Sequence, residues 1–171
     1  MEGPISQFLA DDHRRLDALL GAATTTPHRI DLEPYGLFRA GLLRHIAIEE
    51  KILFPALREA VPDSAPITAK LRVDHGALTA LLVPTPTPAI VAQIRFILVP
   101  HNQREEGPEG VYARCDRALG PAEAQRLVER ARALPDVPLN PYNDGPLVEK
   151  HVASSVELAR RQWAEGDQPD A

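Results

Sequence analysis

Residues 12–20 read Asp12-His13-Arg14-Arg15-Leu16-Asp17-Ala18-Leu19-Leu20, and residues 74–82 read Asp74-His75-Gly76-Ala77-Leu78-Thr79-Ala80-Leu81-Leu82. Both follow D-H-x-x-L-x-A-L-L. A second pair interleaves with the first. His45-Ile46-Ala47-Ile48-Glu49-Glu50 precedes Leu53-Phe54, and His101-Asn102-Gln103-Arg104-Glu105-Glu106 precedes Val111-Tyr112. Both follow H-x-x-x-E-E and then an aliphatic–aromatic pair. The order A, B, A′, B′ predicts two similar helical hairpins packed around a pseudo-two-fold axis. Each gives one His from its first helix, and one His and one Glu from its second.

The flanking residues keep a helical period. Ile5, Phe8, Leu9, Leu16, Leu19 and Leu20 predict a helix over 3–21. Phe38, Leu42, Ile46, Ile52, Leu53 and Ala56 predict one over 31–60. Ile67, Leu71, Leu78 and Leu82 predict one over 65–83, and Ile90, Ile94, Ile97 and Leu98 one from near 88 to beyond 101. Proline-rich breakers at 24–29, 62–66 and 84–88 separate them. No alternating strand pattern competes. Short connections make successive helices antiparallel, so the fold class is all-α, an up-down-up-down four-helix bundle. Pro55 and Pro100 fall inside helical patterns, and each is expected to bend its helix.

The bundle is assigned to 1–118. Over 119–171 a helical extension packed on it is expected: a short helix from Gly120-Pro121 to about 134, a turn-rich loop, and a last helix over 146–164. That helix carries Val148, Val152, Val156, Ala159 and Trp163 on one face. The tail, 165–171, is expected to be disordered.

The totals exclude several classes. A chain of 171 residues with net charge −5 buries a core unaided and carries no nucleic-acid footprint; its longest basic runs are the pairs Arg14-Arg15 and Arg160-Arg161. Cys115 is the one cysteine, so no internal disulfide forms. The N-terminus lacks a basic, then apolar, leader pattern, and no apolar run approaches the roughly 18 residues that span a bilayer. Cytoplasmic residence, no membrane, and a monomer or homodimer are expected.

The histidines lie on the apolar stripes. His13 continues Leu9, Leu16 and Leu20; His75 continues Leu71, Leu78 and Leu82. His45 and Glu49 continue Phe38, Leu42 and Ile52. His101 and Glu105 continue Ile90, Ile94 and Ile97. Steps of three or four turn all six polar groups toward the core. A buried, unpaired carboxylate costs several kcal/mol, and these stripes hold no Lys or Arg. Bound cations solve the problem. Four imidazoles and two carboxylates exceed a tetrahedral zinc set. If both carboxylates bridge two ions, each ion has two His and two carboxylate oxygens. A bridging water, hydroxo or oxo group makes five ligands and leaves one position open. Such donors suit Fe, Mn or Zn, and bridged pairs stand about 3.5–4 Å apart.

These residues resemble the hemerythrin-like proteins, the HHE cation-binding domain, over roughly 5–115. The resemblance implies a non-haem di-iron centre with ligands His13, His45, Glu49, His75, His101 and Glu105. It also implies binding or sensing of O2, NO or an oxidant. The oxygen-carrying members have a second His one turn after the third-helix His, where this chain has Thr79. Fewer imidazoles favour sensing, redox chemistry or metal handling over oxygen storage. The carriers also use a carboxylate five residues after the last His, so Glu106 competes with Glu105. Gly107-Pro108 interrupts the fourth helix beyond that point.

Other residues keep two readings. His28 is a surface loop residue. His151 borders the last helix's stripe, with a structural role or a place near Thr79. Cys115 is a buried apolar residue or a reactive thiol. Asp12 and Asp74 either orient imidazoles on neighbouring helices or are solvated. Tyr112 is core packing or a redox or gating aromatic. Binding or sensing of a small diatomic or oxidant is the expected function, with the C-terminal helices as relay, and an unidentified protein partner is a further expectation. The rivals are a di-metal oxidase or peroxidase-like enzyme, and iron storage or zinc-filled structure.

Overall fold

The computed structural model describes residues 3–164. The expected disordered tail, 165–171, lies outside them. The helices are α1 (Pro4–Ala23), α2 (Leu32–Ile48), α3 (Phe54–Ala60), α4 (Ala65–Leu81), α5 (Pro88–Glu106), α6 (Val111–Ala133) and α7 (Pro146–Ala164). A π-helical turn, Glu49–Leu53, joins α2 and α3 into one rod. Among the described residues there is no strand, and no helix is long and apolar enough to cross a membrane.

Capping residues set several of the starts. Pro4 and Pro88 stand in first-turn positions, where no N–H is needed. Asp31 accepts the Glu33 N–H, and Thr87 that of Ile90. The open N–H groups of α1 are met from elsewhere: Asp116 on α6 accepts the Ile5 and Ser6 N–H groups at 3.0 and 2.9 Å.

Chain direction is visible in the core. One apolar cluster contains Leu16 and Leu20 of α1, Phe38 and Leu42 of α2, Leu78 and Leu81 of α4, and Ile94 of α5. A second contains Ile5 and Leu9 of α1, Leu53 and Leu57 of the second rod, and Leu71 of α4. Thus α1 and α4 run from the second cluster to the first, and α2–α3 runs back. With α5 this is the up-down-up-down bundle. Helix α7 packs chiefly on α4 and puts Val156 and Ala159 into the first cluster. Helix α6 packs on α1 and α3 in the second.

One local expectation changes, and another is met with an added segment. Pro55 does not act alone: the π turn lies immediately before it, with the Phe54 N–H reaching Glu49 O. A proline ring clashes with the carbonyl four residues back, and a widened turn relieves that clash. The helix expected from Gly120-Pro121 to about 134 is present and ends at Ala133. A further helical segment from Val111 precedes it, and the two meet at Gly120, whose φ of 73° and ψ of 166° are non-helical and lie in a region that glycine tolerates.

Candidate metal centre

His13, His45, Glu49, His75, His101 and Glu105 are all buried, at 0–6% exposure, in a layer between the two apolar clusters. Their donor atoms form two groups: His13, His45, Glu49 and Glu105; and Glu49, His75, His101 and Glu105. Within each group the atoms lie within 4.8 Å of one another, and both carboxylates belong to both groups. The six residues singled out from sequence therefore converge on one place.

The outer edge of each imidazole is tied to a carboxylate. His45 donates Nδ1–H to Asp12 at 2.9 Å, and His101 to Asp74 at 3.1 Å. His75 donates to Glu50 at 2.8 Å and His13 to Glu106 at 2.5 Å. The pairings explain each repeated letter. The Asp of a D-H pair holds the His of the other helix in its own hairpin. The second Glu of an E-E pair holds the His of the opposite hairpin. An Nδ1–H committed to a carboxylate leaves the lone pair on Nε2, the atom turned inward.

The inward atoms are poorly matched to one another. His13 Nε2 and His45 Nε2 stand 2.9 Å apart, and two lone pairs repel at that distance unless a positive charge lies between them. Glu49 Oε2 is 3.1 Å from His75 Nε2, and Glu105 Oε1 is 3.1 Å from His101 Nε2. Even so, Glu49 Oε2, Glu105 Oε1 and His75 Nε2 are buried with no aligned hydrogen-bond partner. Proximity without alignment suits donors around a shared cation, so the residues fit a metal site.

Electrostatics agree. Burial opposes charge on His45, but Glu49, Asp12 and Glu105 outweigh it and lift the imidazole to about 10. Burial likewise opposes charge on His101, and Glu105, Asp74 and Glu49 lift it to about 10. His75 is raised for similar reasons. Glu49 is held well below the usual carboxylate range because His45 and His75 outweigh its burial. The cluster thus demands positive charge, from protons or from metal ions.

Glu105, not Glu106, faces the cluster; Glu106 is exposed and serves His13. Asp12 and Asp74 orient imidazoles on neighbouring helices. The role of Glu50 is not predicted by the ligand reading of the motif; its recurrence beside Glu49, in register with Glu106, is the sequence signal for it. Tyr112 is fully buried, and its hydroxyl donates to Glu49 Oε1 at 2.6 Å. Burial and the carboxylates of Glu105 and Glu49 push that phenol well above its usual value. Cys115 is buried, and its thiol is raised to about 12 by burial and Asp116. His28 and His151 are exposed, and the Thr79 hydroxyl donates to Gly76 O.

Helix α7 reaches the site through Asp74. Trp163 Nε1–H lies 3.0 Å from both Asp74 oxygens, and Gln162 donates to Oδ1 at 2.7 Å. In the other hairpin Arg15 holds Asp12, at 2.8 Å, from within α1. A cavity of about 360 Å3, walled by Leu16, Leu20, Leu78 and Leu98, runs to the imidazoles, with Arg14 and Arg95 also on its lining.

A helical bundle with a buried, doubled histidine–carboxylate centre is the class that fold and site define. Residues 5–83 match the family model for the hemerythrin HHE cation binding domain. Over that span the chain is similar to that domain, in keeping with its motifs. The match takes in His13, His45, Glu49 and His75; His101 and Glu105 lie beyond it. No curated protein and no solved structure matches the chain.

Proposed function

We propose that the protein holds two iron ions between His13, His45, His75 and His101, with Glu49 and Glu105 shared by both, and that the centre binds or senses O2, NO or an oxidant. The observation that carries the reading is the pair of four-donor groups with both carboxylates in common. Each group offers two imidazoles and two carboxylates, a set suited to iron. An iron pair supplies exchangeable coordination and one-electron redox change. The chain's part is to fix the imidazole tautomers, exclude bulk water with its two apolar clusters, and keep one route open. The contact of α7 with Asp74 gives a path by which a change at His101 alters the packing of the last helix.

The test is a metal count on the purified protein, with absorption recorded with and without O2, NO and peroxide. Two irons per chain and near-ultraviolet absorption that responds to these ligands are expected. His45→Ala and Glu49→Ala lower the count. An unchanged count in both variants removes the assignment.

The cavity favours a second reading. About 360 Å3 is more than a diatomic needs and falls in the range of small-molecule pockets. A di-metal enzyme acting on a small, mostly apolar organic molecule would use it. Saturable competition between such molecules and NO for the loaded protein would support this reading over simple sensing.

A further inference from the structure

The two halves of the centre are not alike, and the difference lies at Tyr112. Its hydroxyl oxygen is 2.6 Å from Glu49 Oε1, 3.2 Å from Glu105 Oε2, 3.2 Å from His13 Nε2 and 3.4 Å from His45 Nε2. Those four residues are one complete donor group. Ligands bound about 2.1 Å from a common ion stand about 3–3.4 Å from each other, so towards Glu105, His13 and His45 the phenol oxygen keeps the spacing of a fellow donor. Its 2.6 Å contact with Glu49 Oε1 is the hydrogen bond that ligation would replace. A tyrosine that merely packed would need one hydrogen-bond partner; this oxygen is near four inward-facing atoms.

The repeat sharpens the contrast. The aliphatic–aromatic pair after the first E-E is Leu53-Phe54, and after the second it is Val111-Tyr112. Phe54 is also fully buried and stacks on His75, with ring centroids 5.6 Å apart and planes 5° from parallel. It occupies the corresponding place beside the other donor group and has no oxygen to give. Tyr112 is brought in by α6, whose start is set by Gly110. A Cβ on Gly110 would collide with the Glu105 carbonyl, so the turn from α5 into α6 is as tight as backbone permits.

We propose that Tyr112 is a ligand of the ion held by His13 and His45, and that the ion held by His75 and His101 has no such donor. Ligation breaks the Tyr112 O–H bond and releases the proton to buffer; no electron moves. Exogenous ligands are thereby directed to the His75–His101 ion. The inference rests on the two-iron reading, and its test separates the two.

The experiment loads the full chain with ferrous iron, oxidises it in air, counts the iron, and records absorption and resonance Raman spectra. Ferric phenolate gives a visible charge-transfer band, and excitation into it enhances tyrosine ring modes. Imidazole and carboxylate ligands give neither. The expected result is two irons, a visible band, and ring modes that shift when ring-deuterated tyrosine is incorporated. Tyr112→Phe keeps the iron and loses the band, whereas Tyr35→Phe and Tyr142→Phe keep both. If Tyr112→Phe does not fold, isotope labelling of the unaltered chain together with the two other variants makes the assignment, since the chain has three tyrosines. Two irons without tyrosine modes, or a band that survives Tyr112→Phe, overturns ligation and leaves the two-iron reading standing. No iron in the unaltered chain removes that reading and this inference with it.

Discussion

At the residue scale, the site is built from imidazoles whose two nitrogens have separate duties. Nδ1 is fixed by Asp12, Glu50, Asp74 or Glu106, and Nε2 faces the other donors. Asp74→Ala frees the His101 ring, and metal affinity is expected to fall about 10–100-fold, read by competition with a chelator. A loss no larger than that of a surface alanine variant would show the contact to be incidental. Proton binding gives a second prediction. His45 and His101 sit at about 10 in the folded metal-free chain, above the ordinary 6.5. A raised imidazole stabilises the fold fully below its unfolded value and loses that contribution as pH rises through the folded value. The metal-free protein should therefore lose thermal stability from about pH 6.5 to 10, while metal affinity rises over the same window because fewer protons compete. A flat melting profile for the metal-free chain would contradict the clustering of these charges.

At the element scale, two departures from plain α-helix place functional groups. The π turn begins at Glu49 itself, and the α5–α6 turn delivers Tyr112. Gly110→Ala forces Glu105 backbone to move, so a stability loss of about 1–3 kcal/mol by denaturant titration is expected together with weaker metal binding. Helix α7 supplies the other test. The Trp163 ring is in contact with the guanidinium of Arg104, 3.5 Å from its centre, and with Lys70 at 5.0 Å, and its N–H serves Asp74. Trp163→Phe keeps a ring there and deletes the donor. Metal affinity should fall severalfold with little change in melting temperature; an equal effect on both would mean that α7 acts only by packing.

At the scale of the whole molecule, a polar layer divides two apolar clusters, so cation binding and folding are coupled. Metal removal should lower the melting temperature, because a ligand held at 1,000 times its Kd contributes about 4 kcal/mol. Leu53→Ala, in the cluster that contains α6, should cost about 2–5 kcal/mol with or without metal, which separates core packing from metal linkage. Much of this plan was legible in the chain. The ends of α1, α4 and α7 fall within two or three residues of those predicted by apolar period and proline position. The ligand candidates were legible because burying six polar groups on apolar stripes is intolerable without compensation. The start of α6 was not legible, because Gly107-Pro108 reads as the end of one helix and nothing local marks how soon the next begins.

Sequence alone determined which side of its own helix each His and Glu occupies, since a period of 3.6 residues fixes that angle whatever the helix packs against. It also determined the doubling of the hairpin. Tertiary structure decided which carboxylate serves which imidazole, that Glu50 and Glu106 cross to the opposite hairpin, and that the Tyr112 hydroxyl enters one donor group while Phe54 stacks beside the other. Those relations depend on the rotation and offset of one helix against the next. Side-chain packing between helices sets both, and no spacing within a single helix encodes them.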